Sequence, residues 1–173
     1  MAAKVQKTIV EKLLDQKKIP HNSYEYGDGS GEFMDGKEVA DAIGKPYEQV
    51  FKTLVCMGPK GNCVFVVPVE KELDLKKAAK ASGQKSVEMI PVKDITKITG
   101  YIKGGCSPIG MKKLFPTYID SSAQNFDTII FSAGKIGKQV EMSINDLLPL
   151  IKGQLAELTR EGLKDVTFDV AFT

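Results

Sequence analysis

The chain has 173 residues and a mass of 18.9 kDa, the length of one ordinary domain. Apolar residues make up 42% and charged residues 27% of it, which excludes a disordered chain, and no apolar run is long enough to span a bilayer. One histidine, His21, and three cysteines without a CxxC pair exclude zinc fingers and HExxH proteases. Because the start lacks a signal peptide's apolar core, we expect a cytoplasmic protein with free thiols, no metal and no cofactor.

The N-terminal half of the sequence predicts alternating short helices and strands. An apolar stripe with i, i+4 spacing predicts a helix over 4–18, and Pro20 ends it. The elements expected after that helix are a short strand at 22–26, a helix at 37–43, strands at 50–57 and 63–69 that form a hairpin, and a helix at 73–82.

The second half continues the mixture without strict βαβ alternation. The predicted elements are a strand at 86–90, a helix at 91–98, strands at 117–120, 128–132 and 139–142, and a helix at 145–158. Residues 1–173 are therefore expected to form one α/β domain with a mixed, curved, barrel-like β-sheet flanked by helices. Within the extension 159–173, residues 166–172 alternate apolar and polar side chains, which predicts a strand that pairs within the domain or with a second chain. We expect a monomer or a weak dimer.

The net charge of +2 conceals a strong asymmetry along the chain. Residues 71–113 contain ten lysines and four acidic residues, 10 − 4 = +6, whereas the segments on either side are slightly acidic. Such a segment is typical of a surface that faces a polyanion, although solvated lysine faces of amphipathic helices give the same pattern. Because Arg160 is the only arginine, nucleic-acid binding here would depend on the phosphate backbone and on shape.

A glycine-rich segment, 100–110, is the most informative local feature. Gly104 and Gly105 would let the backbone approach a ligand and direct N–H groups at it, but a purely structural turn explains the segment equally well. It resembles a phosphate-binding P-loop, but its lysine comes one position late and no Ser or Thr follows, which argues against a nucleoside triphosphatase. Cys106 lies in the same segment, and with no nearby histidine it is a poor candidate nucleophile.

Lys52 is the other unusual residue, because it interrupts a strongly apolar strand. Strand alternation places it on a mostly apolar face, so we expect its side chain to be drawn partly inward. A lysine in such a place loses hydration free energy unless it meets a carboxylate, a carbonyl or a phosphate. It is either a lysine at the strand edge whose ammonium group reaches solvent or a cation that anchors a substrate.

Three blocks, in order and at matching intervals, resemble the YbaK family of Cys-tRNA(Pro) deacylases. They are Gln-Val-Phe-Lys-Thr-Leu at 49–54, the stretch 73–89, and Thr-Gly-Tyr through Gly-Gly-Cys-Ser-Pro-Ile-Gly at 99–110. The segment Ser-Ala-Gly-Lys at 132–135 is similar to the family's Ser-Gly-Gly-Lys. The resemblance covers about 5–158.

This resemblance implies the editing-domain fold of bacterial prolyl-tRNA synthetases and a free-standing enzyme that hydrolyses Cys from proline tRNA, with cysteine tRNA as an additional candidate substrate. The expected partners are the tRNA and prolyl-tRNA synthetase. Family members use no metal, and the thiol of the substrate attacks its own ester carbonyl. The protein would therefore supply positioning and electrostatics.

The resemblance also implies roles for individual residues. Lys52 would hold the terminal adenosine or its phosphate, and the backbone N–H groups of Gly104 and Gly105 would bind the aminoacyl carbonyl. The other expected substrate-binding residues are Tyr24, Phe33, Ser107, Ser132 and Gln139.

Gln139 departs from the family pattern, in which an aspartate precedes the Val-Glu pair. Glutamine keeps the hydrogen-bonding capacity but loses the charge. This difference leaves open a second hypothesis, in which the chain is a non-catalytic module that binds tRNA, a nucleotide or a synthetase.

Overall fold

The computed structural model describes residues 7–27, 32 and 34–160, which form five α-helices and eight strands. The predicted strand at 166–172 and the candidate Phe33 lie outside the described residues. The helices are α1 (Ile9–Gln16), α2 (Gly36–Ile43), α3 (Leu75–Ser82), α4 (Ile95–Thr99) and α5 (Ile144–Ile151). The strands are β1 (Asn22–Glu25), β2 (Phe51–Gly58), β3 (Gly61–Pro68), β4 (Glu88–Met89), β5 (Thr117–Asp120), β6 (Thr128–Lys135), β7 (Lys138–Ser143) and β8 (Gln154–Ala156).

The strands form two sheets, and the larger one is mixed as the sequence predicted. Its order is β4-β2-β3-β5-β8, with β5 parallel to both β3 and β8. The smaller sheet, β1-β7-β6, is antiparallel throughout. A parallel bridge between Val50 and Ile130 joins the two sheets. Among the described strands neither sheet closes on itself, so the expected barrel-like shape is not confirmed.

The ends of the helices follow from local capping chemistry. Thr8 and Glu11 form a capping box that starts α1 at Ile9, not at residue 4, and Asp74 caps α3. The prediction of a helix over 145–158 was wrong in its second half. Lys152 adopts a left-handed conformation (φ 53°) before Gly153, which ends α5 at Ile151 and allows β8 to pair in parallel with β5.

One apolar core lies between the two sheets and is covered by α1 and α5. Its largest buried side chains include Leu14, Ile109, Ile119, Phe131 and Leu147. A second cluster around Phe65 and Ala78 packs α3 against the other face of the larger sheet. No helix among the described residues is both long enough and apolar enough to cross a membrane.

A buried ion pair attaches α1 to the first residue of β7. Lys138 Nζ lies 2.7 Å from Glu11 Oε1, and both residues are at least 95% buried. Burial by itself would raise the pKa of Glu11, but hydrogen bonds from Lys138, Ser23 and the Thr8 backbone lower it to about 2. The pair thus fixes the start of β7, one residue before Gln139.

This pair predicts a specific sensitivity to acid. The folded-state pKa of Glu11 is lower than its ordinary value of 4.5, so the stabilisation is present above pH 4.5 and is lost as the pH falls towards 2. Glu11→Gln should lower the free energy of unfolding at pH 7 by about 3–5 kcal/mol, because it breaks a buried ion pair by removing the charge of one partner. Urea unfolding between pH 7 and pH 2 measures the free energy of unfolding and tests both effects. Equal stability of the wild type and Glu11→Gln at pH 7 would show that the pair contributes nothing.

Candidate functional site

A cavity of about 620 Å³ opens between the edge of β2, the start of α2 and the glycine-rich segment. Its walls are mostly apolar, from residues such as Val39, Phe51, Val55 and Ile90. A pocket of this size and character is typical of a small-molecule site. Four of the candidate residues predicted from sequence line it, namely Lys52, Gly104, Ser132 and Gln139.

Pairing between strands brings the candidates into one row. Ser132 on β6 is directly opposite Gln139 on β7, and Gln139 is directly opposite Tyr24 on β1. Directly opposed residues in antiparallel strands project to the same face, so these three side chains are neighbours. The parallel bridge between Val50 and Ile130 places the start of β2, which carries Lys52, beside β6, which carries Ser132.

Lys52 is half-buried, as strand alternation predicted. Burial has the largest effect on its ammonium group and lowers the pKa. The charge of Lys37 also lowers this pKa, whereas the charge of Glu72 raises it. Within the described part of the chain, no carboxylate lies within ion-pair distance of Lys52 Nζ. Among the described lining residues, Lys37 and Lys103 are also basic and Asp35 is the one acidic residue. These described residues therefore give an excess of positive charge, which suits a ligand with phosphate or carbonyl oxygens.

The glycine-rich segment presents different backbone donors from those predicted. Gly105 N–H donates to the Ile102 carbonyl at 2.9 Å, so it is occupied within the turn. Gly105 must be small because a Cβ there would lie 3.1 Å from the Ile136 nitrogen. Gly104 has φ +87°, which only glycine adopts without strain. No acceptor among the described residues takes the N–H of Gly104 or of Cys106, and both residues line the cavity. These two N–H groups are the available donors.

Ser107 does not line the cavity. It is fully buried, and its Oγ accepts a hydrogen bond from the Ile109 backbone N–H at 3.3 Å. Tyr101 Oη donates to the Ile109 carbonyl at 2.6 Å, which stabilises the same turn. In this structure Ser107 therefore holds the shape of the glycine-rich segment, in contrast to the substrate contact expected for it.

Tyr24 is also outside the cavity lining, although it stands beside Gln139. Its hydroxyl donates to Glu141, and the ammonium of Lys45 lies 5.6 Å from the centre of its ring. Both the hydrogen bond to Glu141 and burial raise the pKa of the Tyr24 phenol. Tyr24 is therefore the member of the row that lies beside Gln139 but outside the cavity.

Glu141 was not predicted from the sequence, and its carboxylate accepts the hydrogen bond that holds the Tyr24 hydroxyl. Its buried carboxylate also accepts hydrogen bonds from Thr128 and, at 3.4 Å, from Gln49. Burial would raise the pKa of Glu141, but the hydrogen bonds from Thr128 and Tyr24 lower it overall. An acidic residue between Val140 and Met142 in an apolar strand was the signal that could have revealed it.

The described residues that line the cavity include no activated cysteine or histidine nucleophile. Cys106 is the one cysteine among them, and burial raises the pKa of that thiol to about 11, so it is protonated at neutral pH. His21 is not a lining residue; its Nδ1 contacts the Ile19 carbonyl at 2.8 Å. Among the described residues, no group of three His, Cys, Asp or Glu side chains could hold a metal ion. The cavity offers cations and backbone donors, which stabilise charge on a ligand.

With this geometry defined, comparison with known proteins is informative. The sequence profile of the aminoacyl-tRNA editing domain matches residues 32–150. The chain belongs to this family. The candidate Cys-tRNA(Pro)/Cys-tRNA(Cys) deacylase EbsC of Enterococcus faecalis is 49% identical over 155 residues, which cover 89% of this chain and 94% of EbsC. The family inferred from the sequence blocks is thus confirmed.

Two further relatives connect the domain to prolyl-tRNA synthetase. The proline–tRNA ligase of Fervidobacterium nodosum is 29% identical over 92 residues, which cover 52% of this chain and 16% of the ligase. The crystal structure of a candidate trans-editing enzyme for prolyl-tRNA synthetase superposes with a TM-score of 0.72 at 26% identity, covering 82% of this chain and 87% of that one. The described fold is therefore that of an editing domain.

The partly buried charge of Lys52 predicts that removing this charge makes the folded protein more stable. Because the folded-state pKa of Lys52 is lower than 10.5, its charge destabilises the folded protein at neutral pH, and wild-type stability should rise as the pH approaches 10.5. Lys52→Met should therefore raise the melting temperature at pH 7, and its advantage should shrink towards pH 10.5. Lys12→Met, at an exposed position of α1, is the matched control and should change little. A lower melting temperature for Lys52→Met would mean that the ammonium group has a stabilising partner.

Proposed function

We propose that this protein is a free-standing deacylase that hydrolyses Cys-tRNA(Pro), with Cys-tRNA(Cys) as a second substrate. The observation that carries the proposal is the Lys52 ammonium group, which has no ion-pair partner among the described residues. It shares its cavity with Gly104 and Cys106, whose backbone N–H groups no described acceptor takes. The similarity to EbsC over almost the full length of both chains supports the same substrates.

The proposed chemistry uses the substrate's own thiol. The cysteine sulfur attacks the ester carbonyl, a C–S bond forms, and the ester C–O bond breaks. The ribose oxygen leaves with a proton, and water then opens the cyclic thioester to release free cysteine. Lys52 would bind the oxygens of the terminal adenosine or its phosphate. The N–H groups of Gly104 and Cys106 would stabilise the carbonyl oxygen as it becomes negative.

The expected partners fit the charge of the basic segment predicted from sequence. Its exposed lysines, of which Lys103 lines the cavity, include Lys93, Lys97, Lys103, Lys112 and Lys113. Such a surface suits the phosphate backbone near the end of a tRNA. We further propose that the protein acts beside prolyl-tRNA synthetase in the cytoplasm, as a monomer or weak dimer.

A deacylation assay with three charged forms of proline tRNA tests the function. Cys-tRNA(Pro) should be hydrolysed, whereas Ser-tRNA(Pro), which differs from it by oxygen in place of sulfur, and Pro-tRNA(Pro) should persist. Lys52→Ala should lower kcat/KM on Cys-tRNA(Pro) roughly 10–100-fold, the loss expected for a hydrogen bond to a charged group. Persistence of all three esters with the wild type would overturn the enzymatic proposal in favour of a binding module. Equal hydrolysis of the Ser and Cys esters would overturn the role of the substrate thiol.

Cys106 provides a separate test of where the nucleophile comes from. Its thiol is protonated at neutral pH, so Cys106→Ser should keep the activity to within roughly a few-fold. Activity is measured on Cys-tRNA(Pro) beside Lys52→Ala as the reference for a disabled site. A loss as large as that of Lys52→Ala would assign the attacking sulfur to the protein.

A further inference from the structure

Two polar atoms in the cavity wall lack hydrogen-bond partners. The side-chain oxygens Gln139 Oε1 and Thr53 Oγ1 are buried, and within the described part of the chain nothing donates to them. Gln139 as a whole is 95% buried. Both residues line the 620 Å³ cavity. No other buried side-chain oxygen or nitrogen of the described residues is in this state.

A buried acceptor without a donor lowers stability, and native proteins contain few of them. When two occur in the wall of one functional cavity, the missing donors belong to what the cavity binds. The cavity's own donors, Lys52 and the backbone N–H groups of Gly104 and Cys106 that no described acceptor takes, suit the oxygens of a ligand. Gln139 Oε1 can only accept a hydrogen bond and the Thr53 hydroxyl is also able to accept one, so a ligand group that carries N–H or O–H hydrogens serves both oxygens.

We propose that Thr53 and Gln139 bind the free α-amino group of the aminoacyl ester; this inference rests on the proposed function. An α-amino group has at least two N–H donors in either protonation state, so it can serve both oxygens. It is attached to the carbon next to the ester carbonyl, and Thr53 and Gln139 line the same cavity as Lys52 and Gly104. Neutral acceptors also suit an amine that must bind close to lysines, where a buried carboxylate would pair with the lysines instead.

The consequence is a restriction on the class of substrate. Esters whose α-nitrogen is acylated, such as peptidyl-tRNA and formylated aminoacyl-tRNA, lose N–H donors and add bulk at this wall. The protein is then a deacylase of free aminoacyl esters that leaves growing peptide chains attached.

The test compares Cys-tRNA(Pro) with N-acetyl-Cys-tRNA(Pro) for the wild type and for Thr53→Val, a nearly isosteric change. The wild type should hydrolyse the acetylated ester at least 10-fold more slowly. Thr53→Val should lower kcat/KM on the free-amine ester roughly 2–10-fold, as expected for one neutral hydrogen bond, and should have no further effect on the acetylated ester. Its melting temperature should stay the same or rise, because the hydroxyl has no partner to lose.

Thr117→Val is the matched control. The Thr117 hydroxyl donates to the Phe115 carbonyl at 2.8 Å and is outside this cavity, so this variant should lose stability and keep the preference for the free amine. Equal hydrolysis of the two esters by the wild type would overturn the inference. So would an equal loss on both esters in Thr53→Val, which would assign its oxygen to a hydroxyl or thiol of the substrate.

A binding measurement separates this inference from the proposed function. The probe is 3′-amino-3′-deoxyadenosine carrying cysteine in amide linkage, with the α-amine either free or acetylated, and calorimetry measures its affinity. Preference for the free amine in wild type, reduced in Thr53→Val, supports the inference even if Cys-tRNA(Pro) is not hydrolysed. Equal affinity for the two forms overturns it even if hydrolysis is observed.

Discussion

The site depends on an ammonium group that is partly removed from water and has no carboxylate within ion-pair distance among the described residues. Lys52 lies on β2, whose backbone is fixed by antiparallel pairing with β3, and burial lowers the pKa of its ammonium group although the charge of Glu72 opposes this. A cation in this condition binds ligand oxygens strongly, because little water has to be displaced from it. The mostly apolar cavity around it and the absence of a carboxylate near Lys52 Nζ among the described residues preserve that property.

The smaller sheet carries polar side chains, Ser132 and Gln139, that line the same cavity as Lys52. Direct pairing aligns Ser132, Gln139 and Tyr24, and the Glu141 carboxylate anchors the outer end of the row through Tyr24 and Thr128. On the inner side, the buried pair of Glu11 and Lys138 fixes the start of β7. Rigid strands therefore position the polar groups, as a reaction controlled by orientation and electrostatics requires.

Sequence patterns predicted most of the fold because the strands and helices are marked by local chemistry. The strand predicted at 117–120 matches β5 to the residue, and strand alternation predicted the half-buried state of Lys52. The C-terminal helix was predicted too long because the left-handed turn at Lys152 has no strong sequence signal other than Gly153. Contacts between distant segments were beyond local patterns. The bond that occupies Gly105 N–H, the anchoring of Tyr24 by Glu141 and the orphan oxygen of Thr53 all depend on the assembled structure.

The most direct test of the account is a titration of the Lys52 ammonium group by NMR, in the free protein and with a bound analogue of cysteinyl-adenosine 5′-phosphate. The account predicts a pKa below the ordinary lysine value of 10.5 in the free protein, and an upward shift when the ligand oxygens pair with the charge. A Lys52 pKa that is not below 10.5 and does not respond to the ligand would contradict the central claim.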